Sequence, residues 1–317
     1  MISLCYDMPR QEGQAMEWIT GIQRAIDYIE AHLTEELHYE RIAKESFSSS
    51  FHFQRVFSIL CGYTLGEYIR SRRMTLAGIE LATGSQKVID VALRYGYDSP
   101  DSFSKAFQKF HGIAPSQARS KGAKLKSFSR LSFNIMLEGG TTMNYRIEKK
   151  PAITLTGFGT HFEGTPLDRK QQDHHFWMST RLNQYILQGM ARDCTTAYEV
   201  ITNIGDAGYD FYIASKLSAY AMEHFEEELG DEIASRFEHL TLQEATYLVC
   251  ETEKCDYPTE KIGDLYRKAV TEWLPSAGYE LAELPELDII HWYYSETEPK
   301  VSQLRYVELW LPITEKK

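Results

Sequence analysis

Two sets of side chains in this 317-residue sequence have types and spacings suited to recognition chemistry. The first is Gln54 and Arg55, answered about fifty residues on by Asp101, Ser102, Lys105 and Gln108. A glutamine amide pairs at two points with adenine, and a guanidinium does the same with guanine N7 and O6. This set therefore suits base edges in a DNA major groove. The second set is Tyr306, Glu308 and Trp310, at alternate positions near the end of the sequence. Alternation in a strand puts the three on one face. A carboxylate between aromatic rings attracts organic cations, by about 0.5–2 kcal/mol per ring when desolvated. Trp292 and Tyr294 on a neighbouring run, with Tyr212 on another, are expected to widen that aromatic stripe. The pattern also permits a second small core with Glu308 at its wet edge.

The elements that must hold the first set are two helix–turn–helix patterns. In the second, Ile89-Asp90-Val91-Ala92-Leu93-Arg94-Tyr95-Gly96-Tyr97 leads to Ser99-Pro100-Asp101-Ser102-Phe103-Ser104-Lys105-Ala106-Phe107. Ala92 allows two helices to cross closely, and Gly96 tolerates the positive φ of a sharp exit. Ser99 suits the cap of the next helix and Pro100 its first position. Phe103, Ala106, Phe107 and Phe110 follow helical spacing and predict the buried face. The first copy runs from Tyr39 through Ile42 and Ala43 to Ser46, then Phe51-His52-Phe53-Gln54-Arg55-Val56-Phe57, with Phe47 where a turn glycine is usual. Its turn is expected to be reshaped or strained. A helix over residues 65–81, buried through Leu65, Tyr68, Ile69, Met74, Ala77 and Leu81, joins the two. At 1.5 Å per residue it is about 25 Å long, suited to holding two reading helices roughly one duplex turn apart. Arg70, Arg72 and Arg73 on it either reach phosphates or bridge the two subdomains; the sequence leaves both open.

Residues 22–120 resemble the DNA-binding domain of the AraC/XylS family of transcription regulators. The resemblance rests on residues 51–57, on Tyr68-Ile69-Arg70-Ser71-Arg72-Arg73-Met74, and on Tyr95-Gly96-Tyr97 through Gly112-Ile113-Ala114-Pro115-Ser116. It implies that the second helix of each motif enters a major groove. Ser50, Phe51, Gln54, Arg55, Asp101, Ser102, Ser104 and Lys105 are then the contacts to bases or backbone, on promoter DNA. Asp101 accepts from cytosine but is repelled by phosphate.

Charge divides along the same line. Residues 1–130 carry net +3 and residues 131–317 net −14, giving −11 overall. A local basic face suffices for DNA, and the acidic half is expected to face away from it. The sequence has no long apolar run and no secretion-type start, so a cytoplasmic, nucleoid-associated protein without membrane contact is expected. Five cysteines without CxxC spacing predict reduced thiols, and adjacent His174 and His175 predict surface side chains, not a metal pair. No cofactor is expected.

Three parts are expected: residues 18–120, a linker over 121–142, and 143–317. Within the linker a strand is predicted at 128–137. Beyond it, strands near 145–147, 153–162, 198–203, 209–217, 237–240, 245–251, 287–294 and 305–312, with helices near 174–187 and 260–274, form an approximate repeat. The fold class is multi-domain: an all-α tandem helix–turn–helix domain, then an α+β domain. The latter is expected as two β-α-β-β repeats in one curved antiparallel sheet with two helices on one side. Residues 143–317 resemble the GyrI-like effector-binding domain in Met143-Asn144-Tyr145-Arg146-Ile147-Glu148, Tyr209-Asp210-Phe211-Tyr212-Ile213 and Val307-Glu308-Leu309-Trp310-Leu311-Pro312. The resemblance implies that Glu308 lies in an aromatic groove between the repeats and meets a cationic or amphipathic small molecule. DNA-binding half first and ligand half second is similar to the Rob-type regulators. The expected function is a sequence-specific transcription regulator that senses a small organic molecule, with RNA polymerase as a further partner, and not an enzyme. The alternative is a GyrI-like hydrolase or drug-sequestering module, with Glu308 and Tyr212, Tyr294 or Tyr306 positioning water.

Overall fold

The computed structural model describes residues 10–132, 143–293 and 299–316; the later part of the expected linker, from 133 to 142, and the groove candidate Tyr294 lie outside them. The chain divides into two compact units, residues 1–57 with 63–137 and residues 58–62 with 138–317. The first is all helical: α1 (Arg10–Ala31), α2 (Tyr39–Lys44), α3 (Ser50–Cys61), α4 (Leu65–Thr83), α5 (Val88–Arg94) and α6 (Pro100–His111). Thr64 starts α4 with reciprocal bonds that satisfy two otherwise orphaned donors. Its hydroxyl accepts from the Glu67 N–H at 3.2 Å, and the Glu67 carboxylate accepts from the Thr64 N–H at 2.7 Å. The six positions expected inside this helix are all buried. Its first half meets the first motif, with the Tyr68 ring 5.7 Å from that of Phe57. Its second half shares a core with Val91, Ala92, Tyr95, Phe103 and Phe107.

The two turns show what one glycine does. Gly96 takes φ of +79° without a side chain to strain. Phe47, at the matching place in the first motif, takes φ of +53° and carries the penalty of a bulky residue there. Its ring is 83% exposed and lies 5.0 Å from the Arg24 guanidinium, which covers part of it. At the start of α6 the Ser99 hydroxyl accepts from the Ser102 N–H, with Pro100 in the first turn, as expected. The strand expected at 128–137 is corrected: residues 128–132 form none, and the rest lie outside the described residues. Phe128 instead packs edge-on against Tyr63 and Tyr68.

The second unit contains β1 (Tyr145–Lys150), β2 (Ile153–Phe162), α7 (Lys170–Ser179), α8 (Arg181–Ala191), β3 (Thr196–Gly205) and β4 (Gly208–Ser215). The short helices α9 (Ala219–Glu223), α10 (Phe225–Leu229) and α11 (Asp231–Ala234) carry an acidic run whose glutamates at 226–228 are exposed. Then come β5 (Glu238–Leu242), β6 (Ala245–Glu251), α12 (Ile262–Lys268), β7 (Tyr279–Leu281), β8 (Glu286–His291) and β9 (Tyr306–Glu315). The helix expected near 174–187 is two helices that meet at Thr180, whose hydroxyl donates to the Phe176 carbonyl at 2.6 Å.

The strand order is β1-β6-β9-β8-β3-β4-β2-β5, with β7 beside β9. Read inward from either end it is the same sequence of parts. Each repeat gives its first strand to the other and arranges its remaining three alike. Strands β5 and β6 stand near opposite ends of this order, yet only Gln243 and Glu244 join them. Three peptide steps reach about 11 Å, whereas a flat sheet with strands about 4.8 Å apart would separate them by far more. The sheet must therefore curl. Leu240 and Leu242 of β5 accordingly share an interior cluster with Tyr247 and Val249 of β6. The opposite, convex face packs Phe158, Phe162, Ile201, Phe211 and Ile213 against Leu187 of α8.

Candidate functional site

On α3 the Ser50, Phe51 and Gln54 side chains are part-exposed. The Gln54 amide N–H donates back to the Ser50 hydroxyl at 3.2 Å and carbonyl at 3.3 Å. Neutral bonds of this kind contribute about 1 kcal/mol each, so a base edge competes with them readily. Arg55 departs from the expectation. It is 3% exposed, and a guanidinium withdrawn from solvent does not present its fork to a base. On α6, Asp101, Ser102, Lys105, Gln108 and Lys109 are exposed and Ser104 is partly so, while Phe103 and Phe107 anchor the inner side. Ser102 is engaged locally: its hydroxyl donates to the Ser99 carbonyl at 2.9 Å. Lys105, with Gln108 and Lys109 beside it, is the outward polar edge.

The arginines of α4 divide. Arg70 is exposed. Arg72 grips Glu30 of α1 with two bonds of 2.9 Å and reaches the Phe128 carbonyl at 2.5 Å; the Tyr68 hydroxyl donates to the same carboxylate at 2.6 Å. Burial opposes the charge on Glu30, but the bonds from Arg72 and Tyr68 outweigh it and hold its carboxyl below the usual value. Arg73 donates to the Leu33 and Glu35 carbonyls at 2.8 and 2.6 Å, closing carbonyls just past the end of α1. Phosphate contact from Arg72 and Arg73 is therefore corrected to a bridging role. Their spacing alone did not separate them from Arg70, because which one faces α1 depends on how the helices pack.

The second set lies on the concave face of the sheet. Tyr306, Glu308 and Trp310 are part-buried on β9, while Val307, Leu309 and Leu311 of the same strand are buried. Around them on the concave face stand Tyr198, Tyr212, Tyr247, Val249, Leu287 and Ile289. Gly159 lets this happen: a Cβ there would overlap the Tyr212 ring. Glu308 is the buried end of a charge network. Its Oε2 accepts from the Trp310 indole N–H at 2.7 Å, and its Oε1 accepts from Arg146 of β1 at 2.9 Å. Arg146 also donates to Glu148 at 2.6 Å and to Glu251. Burial works against the Arg146 charge, but the bonds to Glu308, Glu148 and Glu251 overcome it and raise its pKa above the usual arginine value. The Lys150 ammonium sits 4.3 Å from the Trp310 ring centroid and pairs with Glu148. Burial raises the Tyr198 hydroxyl pKa, and the charges of Asp193 and Glu308 add to the shift.

Trp292 is the correction in this region. Ile290 pairs with Val307 across β8 and β9, and Trp292 packs with both, beside Trp177 and Ile262 of α12, on the convex side. The concave positions of β8 are Leu287, Ile289 and His291, and the His291 ring stacks on Tyr306 at 4.2 Å. Tyr212 lies on the concave face. Sequence reasoning missed Arg146, Glu251, Tyr198 and Tyr247. Arg146 alternates with Glu148 and Lys150, a signal of one charged strand face that was legible.

A separate charged cluster sits on the convex side. Arg169 bonds to Glu199 at 3.1 Å and to Asp288, and the Trp177 indole N–H donates to Glu199 at 2.8 Å. Burial pushes the neighbouring Asp173 up to about 6. Cys61, Cys194, Cys250 and Cys255 are free thiols, and among the described residues no group of side chains is arranged to hold a metal ion. No described helix is long and apolar enough to cross a membrane.

A helical unit with two helix–turn–helix motifs thus comes ahead of a curled sheet with a polar–aromatic concave face. Residues 42–121 match the family described as a helix-turn-helix domain, and residues 146–313 match the integron-associated effector binding protein family. The front half is 45% identical over 98 residues to the transcriptional activator AarP of Providencia stuartii, covering 31% of this chain and 73% of that one. It is 39% identical over 98 residues to the regulatory protein SoxS of Salmonella typhimurium, covering 31% and 92%. A putative transcription regulation protein of Staphylococcus aureus aligns with 55% of this chain and 99% of its own, at 16% identity and a TM-score of 0.39. The chain belongs to the AraC family of DNA-binding transcription regulators and carries a C-terminal GyrI-like effector-binding domain of the integron-associated type.

Proposed function

We propose that the front unit reads two successive major grooves of promoter DNA. Ser50, Phe51 and Gln54 of α3 take one groove; Asp101, Ser102, Ser104 and Lys105 of α6 take the other. Arg70 steadies the complex on phosphate, which positions the protein without choosing sequence. The rear unit binds a bulky, lipophilic organic cation in its concave face. Ligand binding then shifts DNA affinity or contact with RNA polymerase by favouring one conformation of the chain.

The observation that carries the ligand reading is Glu308, 13% exposed at its side chain, among Trp310, Tyr306 and Tyr198. Aromatic faces and a shielded carboxylate together favour a desolvated cation over a hydrated one. Calorimetric titration with tetraphenylphosphonium tests it. The wild-type chain should bind, and Glu308→Gln should weaken binding about tenfold or more. Equal affinity in the two proteins would remove the carboxylate from the site.

A further inference from the structure

The groove carboxylate already has a cation. Arg146 reaches Glu308 from the opposite end of the network, while its other nitrogens hold Glu148 and Glu251. Lys150 occupies the face of Trp310, the position a guest cation takes on an indole ring. The set of Arg146 and Lys150 against Glu148, Glu251 and Glu308 sums to one uncompensated negative charge.

Resting on the effector-groove reading, we infer that Arg146 is the resident cation of the groove and the residue that sets which ligands enter it. A guest cation gains Glu308 only by moving the Arg146 guanidinium off it. The arrangement permits that move at modest loss. Arg146 keeps Glu148 and Glu251, whose side chains are 35% and 38% exposed, and releases only the more shielded partner. The exchange trades one ion pair for another, so the net gain from charge is smaller than an unpaired Glu308 would give. Apolar contact with Tyr198, Tyr212, Tyr247 and Trp310 must supply most of the affinity. Small hydrated cations have no such contact to offer and are excluded. The ligand class is therefore a bulky aromatic cation, selected by size against an internal competitor.

Calorimetry on the full chain separates this role from simple support of the groove. With tetraphenylphosphonium as probe, Arg146→Gln should bind about tenfold or more tightly than wild type, and Arg146→Lys should fall between them. Unchanged or weaker binding in a folded Arg146→Gln, with wild type binding normally, overturns the competitor role and leaves the groove reading standing. Absence of binding by both proteins overturns the two together. Where Arg146→Gln does not fold, the wild-type Arg146 Nη2–H resonance, from the nitrogen that donates to Glu308 and assigned by its loss in Arg146→Lys, decides the matter. Added probe should shift that resonance and speed its exchange with water; a resonance that stays put overturns the displacement.

Discussion

Three arginines within four residues of α4 have separate fates, and the difference is local packing. Arg72 and Glu30 are each about 12% exposed at the side chain, so removing one partner strands the other away from water. Breaking such a pair costs about 3–5 kcal/mol. Arg72→Ala should lower unfolding stability by about 3 kcal/mol in urea titration, with loss of DNA binding following the loss of fold. Arg70 is exposed, so Arg70→Ala should leave stability within about 0.5 kcal/mol while weakening DNA binding and reducing its salt dependence. The reverse pattern would exchange the two roles. Trp292 teaches the same lesson in a strand. Alternation groups it with Ile290, but that is the convex face, because alternation within one strand says nothing about its register against β9. Pairing of Ile290 with Val307 puts even-numbered residues of β8 on the convex side and even-numbered residues of β9 on the concave side.

At the scale of elements, helices were more legible than the sheet. The spacing of Leu65, Tyr68, Ile69, Met74, Ala77 and Leu81 located α4 and its buried side, because a helix states its inner face within a few turns. The exchange of β1 and β5 between repeats was not legible, since it is set by contacts a hundred residues apart. Nor were Glu199 and Asp288 marked as partners of Arg169, which is distant in sequence and joins them only after folding. Contact between α6 and α4 supplies a pH prediction. His111 of α6 lies 2.9 Å from the Met74 carbonyl through Nε2, and its Nδ1 accepts from the Lys126 N–H at 3.1 Å. The proton is therefore on Nε2. Burial lowers the His111 pKa from the ordinary 6.5. A histidine depressed on folding contributes stability that is present above its unfolded pKa and lost as pH falls below it. The stability advantage of wild type over His111→Gln should accordingly be full near pH 7.5 and smaller near pH 5, by urea titration. A constant advantage would show that His111 does not titrate in that window.

Across the whole molecule, charge and architecture separate the two tasks. Net +3 accompanies the helical half and net −14 the effector half, so attraction to DNA belongs to the front unit alone. A coupling free energy of about 1–3 kcal/mol, the usual range between two sites, would change DNA affinity roughly 5- to 150-fold on ligand binding. That signal depends on a front unit able to grip DNA at two places. Selection of bound duplexes from a random pool by the intact chain, followed by sequencing, measures this grip. The expected result is two short sequence elements centred about 10 base pairs apart, with Gln54→Ala losing base preference in one of them and keeping it in the other. One contiguous element, or an unaltered motif from Gln54→Ala, would contradict reading by α3 and α6 in successive grooves.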